Sequence, residues 1–316
     1  MSTVLVTGAS GFVGSQIVPA LIEAGHRVVA LARSATAGEV VLGRLSPAQR
    51  EAVVIRQGDV TRPDTLPGVM AGVDAVVHLV AIPRDYRGGA DLRLVNTEGT
   101  RAVVAAMGAA GVRRLVHMGA MGVADDPALH YASSKARAEA LVQASGLEWT
   151  ILKPSLLFGP GDGFFNIIAN LVRMSPGVVP VPGDGRSRFQ PLHVADAARV
   201  FAAAVGDPTT IGGTFELGGP RYWTYREITR EVLSALGKRR LIIPMPIPLI
   251  SLVAGLAELV RLPFPVATDQ LRQLRLDNIG AIGLIPERFG FEPRPMEGAL
   301  GYLRDRPAAQ PVGAPA

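Results

Sequence analysis

Tyr131 and Lys135, in Tyr131-Ala132-Ser133-Ser134-Lys135, stand four residues apart, a spacing that puts a phenol and an ammonium on one face of a helix. Such a pair can move a proton. An unperturbed phenol, with a pKa of about 10, is a poor acid or base at neutral pH. A cation a few ångströms away favours phenolate, so Lys135 is expected to bring Tyr131 towards a working range. With only five Tyr and three Lys in 316 residues, the spacing is uncommon by accident, although spacing alone is only suggestive.

A second constellation lies at the N-terminus, where Thr7-Gly8-Ala9-Ser10-Gly11-Phe12-Val13-Gly14 follows the apolar run Thr3-Val4-Leu5-Val6 and opens a helical pattern. This is the context of a dinucleotide fingerprint. Gly8 permits a tight turn, Gly11 lets backbone N–H groups approach a pyrophosphate, and Gly14 lets the helix press on the strand. The helix N-terminus adds partial positive charge. Ser10, Phe12 and Val13 fall in the same cradle.

The next strand ends at Arg33 and Ser34, where the adenosine ribose should lie. An acidic residue there would grip the 2′-hydroxyl of NAD, whereas a cation suits a 2′-phosphate. Arg33 therefore favours NADP over NAD, its alternatives being stacking on adenine or facing solvent. Asp59, in Gly58-Asp59-Val60, is either an acceptor for the adenine amino group or a turn residue. Val60 and Leu79-Val80-Ala81, after the third and fourth strands, complete the expected cofactor contacts on that side.

These residues need a scaffold that brings strand ends together. Val4–Val6, Arg27–Ala32, Val53–Gln57, Ala75–Leu79, Arg114–Met118 and Trp149–Leu152 read as strands, with helices near Ser15–Ala24, Val95–Ala110 and Ser133–Ala144. Buried strands joined by helical crossovers predict an α/β fold, a Rossmann-type doubly wound parallel sheet. The expected organisation is a dinucleotide-binding domain over 1–158 and a small substrate lobe over 159–306. Within that lobe Phe164–Met174 reads as a helix, and about 187–218, with strands at Arg188–His193 and Thr214–Leu217, returns to the main sheet. The Pro- and Ala-rich tail 307–316 is expected to be disordered.

With no Cys, disulfides, thiolate nucleophiles and Cys-type metal sites are excluded. The five His, at 26, 78, 117, 130 and 193, show no ligand spacing, and no metal is expected. The net charge of +5 comes from scattered Arg, which points to a solvated surface and no nucleic-acid partner. No leader pattern precedes the first strand, so a cytoplasmic protein is expected. Leu241–Pro265 is very apolar but carries five Pro together with Glu258 and Arg261, which break a spanning helix. It reads as a packed helix of the C-terminal lobe or as a peripheral contact with the inner face of a membrane or a membrane complex.

Together the Thr7–Gly14 loop, Gly58-Asp59-Val60, Asn96-Thr97-Glu98-Gly99-Thr100 and Tyr131-x-x-x-Lys135 resemble the extended and atypical short-chain dehydrogenase/reductases, the epimerase/dehydratase-like group. The resemblance implies that Tyr131 is the acid/base and that Lys135 holds the nicotinamide ribose and lowers the Tyr131 pKa. It also implies that Asn96 anchors a water or the Tyr–Lys helix, although capping its own helix explains Asn96 as well. Lys153-Pro154-Ser155-Leu156, followed by Phe158-Gly159-Pro160-Gly161-Asp162, is similar to the family's junction beside the nicotinamide, which adds Pro154 and Leu156 to the cofactor set. Arg188–Asp196 and Thr268–Asn278 resemble the subgroup of the nucleotide-binding accessory subunit of respiratory complex I and its bacterial relatives.

One family residue has no counterpart. The hydroxyl expected just after the fifth strand is absent from Val116-His117-Met118-Gly119-Ala120-Met121-Gly122. A donor aimed at developing charge is worth on the order of 3 kcal/mol, so carbonyl chemistry should be slowed unless Ser133, Ser134 or another donor replaces it. Two readings stand: an NAD(P)-dependent oxidoreductase or epimerase-like enzyme using Tyr131 and Lys135, and a non-catalytic NAD(P)H-binding accessory or assembly factor of a membrane respiratory or quinone-linked complex.

Overall fold

The computed structural model describes residues 1–85, 87–246 and 277–305. Its centre is one parallel sheet of seven strands. In chain order these are β1 (Thr3–Thr7), β2 (Arg27–Ala32), β3 (Val53–Gln57), β4 (Ala75–His78), β5 (Arg114–Met118), β6 (Glu148–Pro154) and, after four short strands of the second lobe, β11 (Gly213–Leu217). Their spatial order is β11-β6-β5-β4-β1-β2-β3, a doubly wound arrangement that turns direction between β1 and β4. The run Val4-Leu5-Val6 shows why both faces must be covered. Val4 and Val6 point into one apolar layer with Ile17, Leu21 and Phe201, and Leu5 points into the other with Met107, Leu115 and Val142, the alternation a pleated strand imposes.

The crossovers are α1 (Gly14–Glu23), α2 (Ala35–Gly43) with the short α3 (Pro47–Arg50), the short α4 (Ala90–Leu92) continued through a π-helical turn at Arg93–Glu98 into α5 (Gly99–Ala110), and α6 (His130–Gln143). The sequence pattern places three of these within a few residues but not α2, whose signal is the Ser34 hydroxyl accepting from Ala37 N at 3.2 Å, an N-cap. The sequence shows Val95–Ala110 as one helix. The π-helical turn at its start is the kind of irregularity found at functional sites.

The second lobe contains β7 (Leu157–Phe158), α7 (Phe164–Met174), β8 (Val178–Pro182), β9 (Arg188–Phe189), β10 (Leu192–His193), α8 (Val194–Gly206), β12 (Trp223–Thr224), α9 (Tyr225–Ala235) and β13 (Leu241–Met245). Arg188–His193, expected as one strand, is two. β9 pairs with β12 and β10 pairs with β7, with Pro191, which has no N–H to donate, between them. Neither joins the main sheet; from this stretch β11 does, along β6, while α8 packs over the sheet. The start of the apolar 241–265 stretch is a strand instead of a helix, with β13 parallel to β8 and Pro244 tolerated in a two-stranded edge. The remainder of that stretch from 247, and the tail 307–316, lie outside the described residues. Among the described residues no helix is long and apolar enough to cross a membrane.

A polar row crosses the core of the sheet. Thr7, His78 and His117 are register partners on β1, β4 and β5. His78 Nδ1 bonds the Thr7 hydroxyl at 2.7 Å and Nε2 bonds the Thr100 hydroxyl at 3.0 Å, and the two imidazoles stack 5.4 Å apart. Neither ring nitrogen of His117 has a partner. Burial, with the nearby Lys135 cation, holds His78 down at about 3 and His117 well below its ordinary value, so both stay neutral in the folded state. Below pH 6.5 the unfolded chain binds protons that the folded chain does not, and stability falls with pH. The slope is at most about 1.4 kcal/mol per pH unit for each histidine. In urea titrations between pH 8 and pH 4.5, His117→Leu is expected to cost little at pH 8 and to flatten the acid loss. His78→Leu should cost stability at pH 8 as well, because two hydroxyls lose their partner. A His117→Leu protein with an unchanged pH slope would refute this account.

Candidate active site

The residues singled out in the sequence gather at the carboxyl edge of the sheet, the end at which doubly wound folds bind ligands. The Thr7–Gly14 loop leaves β1, Arg33 and Ser34 leave β2, and Asp59 and Val60 follow β3. Leu79, Val80 and Ala81 follow β4, and Pro154 ends β6 with Leu156 beyond it. Gly8 has φ +73°, and a Cβ there would lie 3.2 Å from Val80 N, so the loop sits directly against the exit of β4. At Gly14 a Cβ would lie 2.3 Å from Gly8 O, which no side chain can meet. Gly11 N donates back to Gly8 O at 3.0 Å. This tight, glycine-rich turn at a helix N-terminus fits a dinucleotide pyrophosphate. From the end of α2, Arg44 Nη1 donates to Ser10 O at 2.8 Å and Gly11 O at 3.3 Å, bracing the loop from outside. Phe12 approaches Gly161 of the second lobe.

Arg33 and Ser34 are exposed beside the start of α2. Asp59 is largely engaged locally: Oδ1 accepts from Thr61 N and Thr61 Oγ1, both at 2.8 Å, a turn-forming role. Val60 packs against Gly99 at the start of α5. Asn96, in the π-helical turn, is fully used. Its Oδ1 accepts from Ile82 N at 2.8 Å, and its Nδ2 donates to Ile82 O at 3.1 Å and Ser134 Oγ at 3.0 Å. It ties the exit of β4 to the helix that carries Tyr131, and it does not cap its own helix.

Tyr131 and Lys135 share one face of α6, as the spacing requires. The electrostatics differ from the expectation. Burial, reinforced by the Glu139 carboxylate, pushes the Tyr131 phenol up to about 12, while burial brings Lys135 down to about 8, against the opposing pull of Glu139. Desolvation penalises both charged forms and outweighs the attraction between them. Lys135 Nζ donates to Met118 O at 2.5 Å at the end of β5. The resting pair is thus a neutral phenol beside a buried amine that titrates near neutrality, which suits proton donation by Tyr131 better than proton removal.

No hydroxyl stands at Gly119, Ala120 or Met121, and at the first of these a Cβ would lie 2.6 Å from Glu139 Oε1, 2.9 Å from Lys153 Cγ and 3.1 Å from Ile151 Cγ2. Neither serine of α6 substitutes: Ser133 Oγ donates to Asp125 at 2.5 Å, and Ser134 Oγ donates to Tyr131 O at 2.8 Å and receives the Asn96 amide. Sequence reasoning missed Glu139, although it continues the Tyr131–Lys135 row by four further residues. It also missed Asn278. The Asn278 Nδ2 donates to Met121 O at 2.7 Å, and Ser155 Oγ donates to its Oδ1 at 2.5 Å, so a residue far along the chain closes the β5 and β6 exits. Among the described residues no cluster could hold a metal ion.

Comparison with known proteins agrees with this geometry. Residues 8–170 match a family model described as NAD(P)H-binding. The chain is 26% identical over 280 residues to the mitochondrial NADH dehydrogenase [ubiquinone] 1 alpha subcomplex subunit 9 of Arabidopsis thaliana, covering 88% of this chain and 68% of that one. It is 29% identical over 280 residues to the ceramide reductase of Caulobacter vibrioides, covering 86% and 83%. A Staphylococcus aureus nucleoside-diphosphate-sugar epimerase superposes with a TM-score of 0.75 at 18% identity, over 96% of this chain and all of that one, a likeness of fold. The glycine cradle, the parallel sheet and the matched segment agree, and the chain belongs to the NAD(P)H-binding family.

Proposed function

We propose that this protein is an NAD(P)-dependent oxidoreductase or epimerase-like enzyme that prefers NADP and works chiefly in the direction of carbonyl reduction. The observation that carries this reading is the protonated Tyr131 four residues from Lys135 on a helix face, at the sheet edge that also bears the glycine cradle. Gly8, Ser10, Gly11, Phe12, Val13 and Gly14 would hold the pyrophosphate of the dinucleotide. Arg33 and Ser34 would meet the 2′-phosphate, while Asp59, Val60, Leu79, Val80 and Ala81 would flank the adenosine half. Pro154, Leu156 and Lys135 would flank the nicotinamide half. When bound, the nicotinamide supplies or accepts a hydride.

The protein's own contribution is proton transfer and orientation. Tyr131 Oη donates a hydrogen bond to the substrate oxygen and yields its proton as that oxygen becomes negative. Lys135, losing its proton near pH 8, stabilises the resulting phenolate only below that pH. Asn96 holds Ser134, and through it the helix, at fixed distance from the β4 exit. The Caulobacter relative, named for reduction of ceramide, supports ketones with apolar tails as the first substrates to test.

A second reading is favoured by Gly119, Ala120 and Met121, which supply no hydroxyl side chain after β5. On that reading the chain is a non-catalytic NAD(P)H-binding module that docks on a membrane complex, as the name of the Arabidopsis relative supports. The two readings separate by experiment. Equilibrium binding should show NADPH tighter than NADH, and Arg33→Ser should weaken NADPH about tenfold or more while changing NADH little. Gly14→Ala should abolish binding of both, since its Cβ collides with Gly8 O. In NADPH oxidation assays with a ketone panel, Tyr131→Phe should lower turnover by about a hundredfold or more with NADPH affinity unchanged. The reduction rate should fall as pH rises through about 8 with Lys135 deprotonation. Binding without turnover of any ketone or sugar nucleotide, together with co-sedimentation with membranes, would replace the enzymatic reading by the second.

A further inference from the structure

Helix α2 carries an arginine at each end, Arg33 before its Ser34 N-cap and Arg44 at its C-cap. Both are exposed. Arg44 Nη1 donates to Ser10 O at 2.8 Å and to Gly11 O at 3.3 Å, while its Nε and Nη2 have no partner, and no carboxylate pairs with it, among the described residues. Glu39, the one carboxylate of α2, is in no ion pair there either. The chain that follows holds this arginine in place: Leu45 is buried, Ser46 and Gln49 close a capping box on α3, and Arg50 Nε donates to Leu42 O at 2.9 Å and Leu45 O at 3.2 Å. Arg44 also lines the crevice between α1 and α2 with Ala9, Gly14, Val18 and Val41. A guanidinium with three N–H groups to spare is thus mounted on the rim of the glycine cradle.

We propose that Arg44 is a further cofactor-binding residue, a cation for a phosphate group of the dinucleotide, an inference that rests on the Thr7–Gly14 loop being the seat of that dinucleotide. From Thr7 to Glu23 the loop and α1 contain no Lys or Arg, so main-chain N–H groups and the helix dipole would otherwise face the negative charge alone. The carbonyls of Ser10 and Gly11 oppose it. A cation on those two oxygens offsets their dipoles and adds a full positive charge at the tip of the loop, and the planar guanidinium can take phosphate oxygens in pairs with the nitrogens it has left. Bracing alone accounts poorly for this arrangement. An exposed hydrogen bond to a carbonyl exchanges with water at little net gain, and it needs one donor, not a guanidinium with most of its donors idle. Two groups of the dinucleotide share the chemistry that Arg44 recognises: the pyrophosphate, common to NADH and NADPH, and the 2′-phosphate, found on NADPH alone.

Equilibrium binding of NADPH and NADH tests this without any turnover. Arg44→Gln keeps a donor for the loop carbonyls and removes the charge, whereas Arg44→Lys keeps the charge. Arg44→Gln should weaken NADPH about tenfold or more, Arg44→Lys should stay within about threefold of the native affinity, and added salt should weaken NADPH binding less in Arg44→Gln than in the native protein. NADH separates the two phosphates. An equal loss for NADH assigns Arg44 to the pyrophosphate, and a loss confined to NADPH assigns it to the 2′-phosphate beside Arg33. Hydrogen exchange at Gly11 N, which donates to Gly8 O, reports on the loop itself and should stay within about threefold of the native rate in Arg44→Gln. Native affinity for both cofactors in Arg44→Gln would overturn the proposal. So would a loss of affinity accompanied by about tenfold faster exchange at Gly11, since the arginine would then be no more than a brace. Gly14→Ala distinguishes the two levels of the argument: if it abolishes binding while Arg44→Gln does not, the seat stands and only the role of Arg44 falls. If Gly14→Ala binds both cofactors as the native protein does, the seat falls and the proposal with it.

Discussion

A helix that buries charge can dock only where each buried group finds its partner, and α6 is such a helix. Its inward face carries Ser133, Ser134, Lys135 and Glu139 beside Ala132, Ala138 and Val142, too little apolar surface to hold it by the hydrophobic effect alone. What fixes it is a seam of directional bonds. Asn96 and Thr97 reach Ser134 from the π-helical turn, Met118 O receives Lys135, and Ala120 N and Lys153 engage Glu139. An unmade bond in such a seam costs more than a made one contributes, so the helix has one acceptable seat. The position of Tyr131 follows from that seat.

The same constraint explains features that look unrelated along the chain. The π-helical turn at Arg93–Glu98 sits where Asn96 must turn towards both Ile82 and Ser134. A regular α-helix would rotate Asn96 relative to Thr100, whose hydroxyl bonds both Asn96 O and the buried His78. His78 in turn holds Thr7, the last residue before the glycine cradle. A continuous set of hydrogen bonds therefore runs from the loop that would seat a pyrophosphate to the helix that carries Tyr131. The fold transmits position between the two halves of the site without relying on the outer loops.

Much of the scaffold was legible in the sequence. The six apolar runs of the first half are strands to within two residues at either end, because a strand buried on both faces must be an unbroken β-branched run, and the glycines of the cradle announce a turn that only they can make. The Tyr131-to-Lys135 spacing placed both groups on one face, since that depends on local geometry alone. What spacing could not reveal was the environment. The upward shift of Tyr131 comes from burial and from Glu139, and burial brings the Lys135 ammonium down to about 8. The split of Arg188–His193 depends on Gln190 N meeting Ser155 Oγ, and the Asn278 clamp joins residues 123 positions apart. Interactions set by tertiary packing leave no periodic trace.

The charge sequence along α6 and β6 carries one further step. Proceeding from the phenol, the site presents a neutral acid, a cation that titrates near pH 8, an anion and a second cation. In water such an alternation would matter little, but in a desolvated site each charge is felt by its neighbours. A phenol kept neutral here is poised to give a proton and poorly placed to take one. An enzyme that abstracts a proton from an alcohol needs the opposite bias, a cation dominant beside the phenol. Arg33 at the end of β2 is consistent with the same direction, because a site that admits a 2′-phosphate selects the dinucleotide suited to reduction. On the proposed enzymatic reading, the neutral phenol at one end of the cleft and Arg33 at the other, about a hundred positions apart, would favour the same direction of reaction.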